Sequence, residues 1–493
     1  MLPRLPLLLL GLVALAGCHE PTPKRPNVLL ISLDSVRFDE LTPYGGKALW
    51  APDQPITPAL QALSESGLTF DQAVSTTSWT LPSHMSLLTG LPDPVHGVTD
   101  NHKRLDPSVV TLAETLGAAG YRTAGFFSGP NLHPVFGFSQ GFDLYENESA
   151  NQPELAVFSD DRPGALLPVH RASHEDITSP RLVAAAKNFV TEAQADDAPF
   201  FCFVHFWDPH YDYVAPKQYE ARFVRPGFDR ATSGVTGTWE QDKLKRDWNQ
   251  DSAADLLSLY HSELNFTDDY LGRLFAHLDE LGIEEETLVV LIADHGEEFF
   301  DHGRWGHQRT LYDEVVRVPL ILRWPGHLPA GQRVAGQARI QDLFATIADL
   351  ADVPLPGYAS EETLFGTSLR PLWEDPTNPG RDQLLFLEVP YRGIYQLGLR
   401  SAEPLDGEAT AFKVLLDTPT QKAELFDLGR DPREQSPQAL GDFPSSKNPK
   451  VQAALALEAR IAAARKILGL TDGGPGADLT PEVRAELERL GYL

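Results

Sequence analysis

An aspartate and a histidine follow directly after one of the most apolar segments of the chain. The run TLVVLIA is typical of a buried strand, and Asp294, His295 and Gly296 come next. A carboxylate and an imidazole are ligands that divalent cations take in proteins, and a glycine lets the backbone turn sharply behind them. Asp34 ends the apolar run NVLLISL in the same way. An acid at the end of a strand is also a common turn residue, so Asp34 by itself leaves both interpretations open.

A hydroxyl group at the start of a helix is the second candidate. Residues 77–90, TSWTLPSHMSLLTG, are typical of a loop that turns into a helix, with Thr80 at the N-cap and Pro82 in the first turn. Free backbone N–H groups and the helix dipole make such a terminus a natural anion site. Thr80 is therefore either a simple helix cap or a hydroxyl that faces an anion.

The elements that must position these residues alternate between strands and helices. Apolar runs at 27–33, 200–206, 287–293 and 318–323 predict buried strands, and helical patterns lie between them. This alternation predicts an α/β fold with a mostly parallel central sheet and helices on both faces. Ligands of such sheets bind at the carboxyl ends of the strands, where Asp34 and Asp294 would both lie.

The character of the sequence changes after about residue 372. Three short extended segments predict a small antiparallel sheet, and helical patterns follow at 450–467 and 481–490. The predicted organisation is a catalytic domain over residues 27–372 and a C-terminal subdomain over residues 373–493.

The N-terminus predicts export and a lipid anchor. Arg4 precedes an apolar stretch that is too short to span a bilayer, as in a signal peptide over residues 1–17. The sequence LAGC ending at Cys18 resembles the bacterial lipobox, so we expect Cys18 to be lipidated and residues 18–26 to form a tether. We therefore expect the chain at the bacterial cell envelope, held to the membrane only by the lipid.

Charge and cysteine content exclude other classes of protein. There are 41 Lys and Arg residues against 69 Asp and Glu, which gives a net charge of −28. This balance argues against nucleic-acid binding and against electrostatic binding to anionic lipid, both of which need clustered cations. Two cysteines cannot form a disulfide framework. The sequence does not predict an oligomeric state.

Several motifs together resemble the sulfatase family of the alkaline phosphatase superfamily. The resemblance rests on Asp34, on the hydroxyl of Thr80 with Pro82 two residues later, and on the strand that leads to Asp294 and His295. The other matching segments are TPAL (57–60), TLAETL (111–116), GYRT (120–123), PH (209–210), TLYDE (310–314), RVPL (317–320), FGTSL (365–369) and ELFDL (424–428). The resemblance covers roughly residues 26–435.

The resemblance implies a role for each matching residue. Asp34, Thr80, Asp294 and His295 would surround one divalent cation, which could be Ca²⁺, Mn²⁺, Zn²⁺ or Mg²⁺. His210 and His307 would approach the ester oxygens, and one of them would protonate the leaving group. The resemblance also suggests that His84 and Arg309 contact the substrate. The other histidines, His205 and His302 among them, fit ordinary core or surface positions at least as well.

The sequence departs from the family at the nucleophile. Family sulfatases carry Cys or Ser where Thr80 stands, oxidised to formylglycine, and Arg where His84 stands. A threonine would give a ketone on oxidation, so no formylglycine is expected here. A threonine alkoxide beside a metal can still attack a phosphoryl or sulfuryl centre. Ser35 also replaces a second acidic metal ligand of the family.

These observations favour a metal-dependent hydrolase of sulfate or phosphate esters on a small molecule or a glycan. Phosphothreonine can be hydrolysed at phosphorus more easily than sulfothreonine at sulfur, so Thr80 favours phosphate. Two alternatives remain open: a transferase of phospho-head groups to envelope components, and a non-catalytic lipoprotein that binds an anionic glycan.

Overall fold

The computed structural model describes residues 25–148, 177–196, 198–233, 235, 250–389, 392–403, 411–470, 475–477, 479–481 and 484. The predicted signal peptide, Cys18 and most of the tether lie outside these residues. Most of the predicted helix at 481–490 lies outside them as well.

Helices and strands alternate through the first three quarters of the chain. The helices are α1 Pro58–Glu65, α2 Thr80–Thr89, α3 Asp93–His96, α4 Leu112–Ala118, α5 Ser179–Gln194, α6 Lys217–Phe223, α7 Arg230–Ser233, α8 Gln250–Glu280, α9 Asp313–Val316, α10 Asp342–Leu350, α11 Arg370–Glu374 and α12 Pro449–Ile467. The strands are β1 Asn27–Leu33, β2 Leu68–Val74, β3 Arg122–Phe127, β4 Leu144–Asn147, β5 Phe200–Phe206, β6 Thr287–Ala293, β7 Glu298–Phe299, β8 Trp305–Gly306, β9 Arg317–Val318, β10 Leu320–Arg323, β11 Gln332–Arg339, β12 Gln383–Val389, β13 Ile394–Arg400, β14 Phe412–Asp417, β15 Lys422–Asp427 and β16 Gln438–Asp442.

The central sheet has the strand order β11-β2-β10-β6-β1-β5-β3-β4, with β9 paired to β2. β1 is parallel to β5 and β6, β3 is parallel to β4 and β5, and only β9 and β10 run antiparallel to their neighbours. The three middle strands β6, β1 and β5 are buried almost throughout, because their continuous apolar runs are covered on both faces. The predicted α/β fold with a mostly parallel central sheet is confirmed.

The C-terminal part forms a separate antiparallel sheet in the order β12-β13-β14-β15-β16, as predicted. One face of this sheet packs against α12, and the other packs against the segment around α9 through Leu385, Phe426 and Val315. Buried ion pairs also connect the C-terminal sheet to the segment around α9. Asp313 of α9 pairs with Arg400 and Lys413, and Lys413 also pairs with Glu434.

Within the described residues, no helix combines the length and the apolar character that crossing a membrane requires.

Candidate active site

Two neighbouring parallel strands bring the two aspartates together. In the pairing of β1 with β6, Leu33 lies opposite Ala293, so Asp34 and Asp294 leave the sheet side by side. The backbone N–H of Asp294 donates to the carbonyl of Leu33, and that of Asp34 donates to the carbonyl of Phe206 on β5. The sheet therefore fixes both aspartates before any side-chain contact is made.

Asp34, Asp294 and His295 can offer one ligand atom each within 4.8 Å of one another, and all three are fully buried. Among the described residues, the Oδ2 atoms of both aspartates have no hydrogen-bond partner, which is rare for a buried carboxylate oxygen. The Nε2 atom of His295 lies 3.5 Å from Oδ2 of Asp294 and 3.9 Å from Oδ1 of Asp34. Two orphaned carboxylate oxygens and an imidazole form a donor set that fits a divalent cation.

The pKa shifts of these three residues also indicate a site that is suited to bind a positive charge. Burial raises the pKa of both Asp34 and Asp294, because neither carboxylate has a cation paired closely enough to compensate for its lost hydration. Burial alone would lower the pKa of His295, but the charges of Asp294 and Asp34 raise it. A divalent cation would neutralise the two carboxylates.

Ser35 holds the two carboxylates in place from an uncommon backbone conformation. Its φ angle is 56°, in the left-handed region that few non-glycine residues adopt. From there its N–H donates to Oδ1 of Asp294 at 3.1 Å, and its hydroxyl donates to Oδ1 of Asp34 at 2.8 Å. Ser35 therefore occupies one oxygen of each carboxylate and leaves the other oxygen free.

Thr80 is the first residue of α2, one position after the N-cap at which the sequence pattern placed it. Trp79 occupies the N-cap position, and no side chain caps this helix. The Thr80 hydroxyl instead lies 3.1 Å from Nε2 of His295. The Ser83 hydroxyl donates to the carbonyl of Asp294 at 2.7 Å, which docks the first turn of α2 onto the turn that carries the metal ligands.

His84 lies one turn further along α2 and is fully buried. Its Nδ1 lies 2.9 Å from the Thr80 carbonyl, and its Nε2 lies 2.5 Å from the Ser32 hydroxyl. Burial lowers the pKa of His84 to about 3, so the ring is neutral. Because both nitrogens are engaged within the protein, this geometry favours a positioning role over the substrate contact that the sequence suggested.

His210 and His307 lie beside each other near the candidate metal ligands. Their ring centroids are 5.1 Å apart, and the ring of His307 lies 4.5 Å from that of His295. His210 stacks on Trp207, and its Nδ1 lies 2.5 Å from the carbonyl of Tyr211. Burial lowers the pKa of His210 to about 3 and that of His307 well below its ordinary value.

A buried acid orients His307. Nδ1 of His307 lies 2.9 Å from Oε1 of Glu297, and the Tyr213 hydroxyl donates to Oε2 of the same carboxyl group at 2.9 Å. Burial raises the pKa of Glu297 to about 8. The hydrogen bond to Glu297 therefore fixes the orientation of the His307 ring.

Arg309 follows His307 by two residues and is half-buried. Burial lowers its pKa, and the charges of Arg392 and Arg304 lower it further. Within the described part of the chain, no carboxylate forms an ion pair with Arg309 or Arg304. The protein thus places a local group of positive charges beside His307 despite its overall charge of −28.

Two other polar side chains, those of Asp208 and His302, form hydrogen bonds that support the fold and not the candidate site. The third strand-end acid, Asp208, accepts hydrogen bonds from the backbone N–H groups of Thr178 and Ser179 at 2.6 and 2.7 Å, so it caps α5. His302 lies 2.5 Å from the carboxylate of Glu314 and stacks on Tyr312.

Sequence reasoning missed Glu297 and Ser32, and it gave His205 no role in the site. Glu297 stands three residues after Asp294, close enough to have been noticed. Ser32 and His205 lie opposite each other in the pairing of β1 with β5, which no local pattern in the sequence reveals.

Comparisons with known proteins agree with this architecture. A family model described as Sulfatase matches residues 26–353, and one described as N-sulphoglucosamine sulphohydrolase, C-terminal, matches residues 301–458. The chain is 27% identical to the ulvan-active sulfatase of Formosa agariphila, over 76% of this chain and 71% of that protein. It is 26% identical to the multifunctional alkaline phosphatase superfamily protein PehA of Trinickia caryophylli, over 84% and 91%.

A solved structure shares the fold. A protein crystallised in complex with its substrate D-glucosamine-2-N,6-O-disulfate superposes with a TM-score of 0.67 at 19% identity, over 90% of this chain and 98% of that one.

Proposed function

The chain belongs to the sulfatase family of ester hydrolases, and on that premise we propose that it is a metal-dependent hydrolase of sulfate or phosphate esters with Thr80 as its nucleophile. One observation carries the proposal: the Thr80 hydroxyl lies 3.1 Å from His295, a residue of the candidate metal site, at the buried start of α2. Asp34, Asp294, His295 and the Thr80 oxygen would hold the cation.

The chemistry begins at the Thr80 oxygen. A bound divalent cation would lower the pKa of the hydroxyl and neutralise Asp34 and Asp294. The Thr80 oxygen then forms a bond to phosphorus or sulfur while the bond to the leaving oxygen breaks. Water completes the cycle by cleaving the Thr80 ester, which restores the hydroxyl and releases the inorganic anion.

The pair of His307 and Glu297 is the favoured source of the proton for the leaving group. Nδ1 of His307 lies 2.9 Å from Oε1 of Glu297, and the Tyr213 hydroxyl keeps the carboxyl group in position. A histidine oriented by an acid is the usual arrangement of a general acid or base. His210, whose Nδ1 faces the carbonyl of Tyr211, is better suited to contact an ester oxygen.

Arg309 would contact the anionic part of the substrate. A half-buried guanidinium without an ion pair to a carboxylate, close to two other arginines, is suited to bind an incoming anion. The substrate would be a small molecule or a glycan ester. If Cys18 is lipidated as predicted, the enzyme would act at the bacterial cell envelope.

The proposal includes both sulfate and phosphate esters as substrates of the enzyme, with phosphate esters preferred. The relatives include a protein named an ulvan-active sulfatase, which supports a sulfate ester, and one named a multifunctional alkaline phosphatase superfamily protein, which is compatible with a phosphate ester. The preference comes from Thr80, because a phosphothreonine is more readily hydrolysed than a sulfothreonine when no formylglycine can form.

The test is a panel of matched aryl esters. Purified protein is loaded in turn with Mn²⁺, Zn²⁺, Ca²⁺ or Mg²⁺ and assayed on an aryl sulfate, phosphate monoester and phosphate diester that share one leaving group. We expect at least one phosphate ester to turn over faster than the sulfate. Equal or faster turnover of the sulfate would overturn the phosphate preference, and no turnover of any ester would overturn the proposed function.

Variants of Thr80 test its assignment as the nucleophile. Thr80→Ala is expected to lower kcat by roughly 10⁴-fold or more, as removal of other catalytic nucleophiles does, and to leave metal binding largely intact. Thr80→Ser keeps a hydroxyl and should keep turnover. Thr89→Ala, at the other end of the same buried helix, is the matched control and should stay close to the wild type. Full activity in Thr80→Ala would remove the nucleophile assignment.

A further inference from the structure

The turn that follows Asp34 is held by the hydroxyl of Tyr260, a fully buried residue of α8. This hydroxyl accepts the backbone N–H of Arg37 at 3.0 Å and donates to the backbone carbonyl of Ser35 at 3.0 Å. The directions are fixed, because a backbone N–H only donates and a carbonyl oxygen only accepts. Within the described residues, neither backbone group has another hydrogen-bond partner. Tyr260 thus supplies hydrogen bonds that the turn does not form within itself.

These hydrogen bonds act on the conformation of Ser35. Its φ angle is 56°, and a residue with a Cβ atom stays in this left-handed region only where its surroundings fix it. The sheet fixes the backbone before the turn, through the hydrogen bond from the Asp34 N–H to β5. The side chain of Arg37 fixes the backbone after the turn, through ion pairs with two aspartates. Tyr260 binds the two peptide groups in between, which flank Val36.

The conformation of Ser35 decides which carboxylate oxygens are free to bind a metal. Its N–H donates to Oδ1 of Asp294, and its hydroxyl donates to Oδ1 of Asp34. The torsion that rotates an aspartate carboxylate is only weakly restricted by itself, so such donors set the direction in which each Oδ2 points. Oδ1 of Asp294 also accepts the N–H of His295 at 2.7 Å, so Asp34 depends more on Ser35 than Asp294 does.

We propose that Tyr260 is a positioning residue of the metal site. Its hydroxyl holds Ser35 in the conformation that occupies Oδ1 of both aspartates and leaves both Oδ2 atoms to the cation. Among the described residues, Tyr260 forms no hydrogen bond with either aspartate, so it acts through Ser35. The proposal rests on the metal dependence of the proposed function, and its test therefore measures metal binding without turnover.

Tyr260 also contacts the residue that holds Glu297. The ring centroids of Tyr260 and Tyr213 are 5.2 Å apart, and the Tyr213 hydroxyl donates to Oε2 of Glu297. Loss of the Tyr260 ring would therefore disturb the Glu297 side of the site as well as the metal ligands. For this reason the test removes the hydroxyl and keeps the ring.

The test compares two tyrosines whose hydroxyls both bind backbone groups. Tyr260→Phe removes the hydroxyl beside the metal site. Tyr44→Phe is the matched control, because the Tyr44 hydroxyl accepts the N–H of Leu320 at 2.9 Å and lies 3.2 Å from the carbonyl of Phe70. These partners belong to β10 and β2 and not to the turn behind Asp34. Both variants therefore lose hydrogen bonds to the backbone, but only one of them loses bonds to this turn.

Metal-free protein is titrated with Mn²⁺, and electron paramagnetic resonance measures the unbound ion. We expect the dissociation constant to rise about 10-fold in Tyr260→Phe, as it does when groups that orient metal ligands are removed, and to match the wild type in Tyr44→Phe. Each titration is run well below the unfolding temperature of that variant, measured with a chelator, so that a general loss of stability does not affect the comparison. A Tyr260→Phe variant that binds Mn²⁺ as tightly as Tyr44→Phe would overturn the proposal.

Ser35→Ala provides a second test if Tyr260→Phe fails to fold. It keeps the N–H that donates to Asp294 but removes the hydroxyl that donates to Asp34, so the dissociation constant for Mn²⁺ should rise in this variant too. Unchanged Mn²⁺ binding would overturn the role of Ser35 and with it the proposal. In the double variant the two effects should be less than additive, because both changes act on one turn, and fully independent effects would also contradict the proposal.

The outcome can be separated from that of the proposed function. Wild-type protein that binds Mn²⁺ but hydrolyses no ester would overturn the proposed function and leave the positioning role of Tyr260 intact. Wild-type protein that hydrolyses esters, with no difference in Mn²⁺ binding between the two tyrosine variants, would overturn only the positioning role.

Discussion

Two buried groups of charges lie close together in this protein and are built in opposite ways. At the interface with the C-terminal sheet, Asp313 and Glu434 are matched by Arg400 and Lys413, with contacts of 2.6 to 2.9 Å. At the carboxyl ends of β1 and β6, two aspartates are buried as deeply, and one oxygen of each has no hydrogen-bond partner.

The pKa of Asp313 and the pKa values of the two site aspartates shift in opposite directions, although burial also raises the pKa of Glu434 to about 7. Burial would raise the pKa of Asp313, but the charges of Arg400 and Lys413 hold it well below its ordinary value. Burial raises the pKa of Asp34 and Asp294 by more than the charges of nearby histidines lower it. Burial alone thus does not mark a functional site. A buried charge with all its partners supports the fold, whereas one that lacks them is prepared for a ligand.

The largest expected effect comes from neutralising one aspartate in each group. Asp34→Asn should abolish turnover and weaken metal binding by more than about 100-fold, because it removes a ligand. It should leave the stability of the metal-free protein unchanged or higher, because an uncompensated buried charge is lost. Asp313→Asn should destabilise the protein by about 3–5 kcal/mol, since it leaves Arg400 and Lys413 short of a partner.

The measurements are metal titration and thermal or urea unfolding of both variants, with and without a chelator. The distinction between the two groups would fail if Asp34→Asn were as destabilising as Asp313→Asn in the metal-free protein.

Arg309, which has no ion pair to a carboxylate among the described residues, should also behave differently from a paired arginine. Arg309→Ala should raise KM for an anionic ester by about 10-fold, equivalent to ~1.4 kcal/mol, with little change in stability. Arg370→Ala is the control, because Arg370 pairs with Asp349 on the surface and should affect neither quantity much. Steady-state kinetics on a charged ester and on the least charged ester that turns over check this. An equal KM for wild type and Arg309→Ala on the charged ester would contradict an anion contact.

The smallest expected effect is a change of stability with pH at His302. Burial alone would lower the pKa of His302, but its hydrogen bond to Glu314 and the charge of Glu314 raise it to about 9. The stabilisation by His302 is therefore complete below about pH 6.5 and is lost as the pH rises through 9. The free energy of unfolding of the wild type should exceed that of His302→Gln most at pH 6, and the difference should shrink towards pH 10. A difference that does not depend on pH would argue against a charged pair.

Much of the fold could be predicted because its strongest patterns are local. The runs at β1, β5 and β6 matched the observed strands from end to end, since strands buried on both faces are continuously apolar. The acids at strand ends were visible for the same reason, and the parallel sheet brought Asp34 and Asp294 together as predicted.

The rest depended on contacts between distant parts of the chain. Ser32 and His205 are 173 residues apart, and only the register of β1 against β5 makes them neighbours. Asp208 also follows a buried strand, but its partners lie at the start of α5 and not in the site. Thr80 was correctly placed at a helix start, but its hydroxyl faces His295 and not the helix backbone.

Gly296 connects the candidate metal site to the group of charges around Asp313. A Cβ atom at this position would lie 2.1 Å from the carbonyl oxygen of Glu314, and the N–H of Gly296 donates to the carbonyl of Val315 at 2.9 Å. Any larger residue would have to push away the backbone of α9, which carries Asp313. A substitution of Gly296 would thus disturb the interface around Asp313 as well as the candidate metal site. Mutation at this position could not change one group of charges and leave the other unchanged.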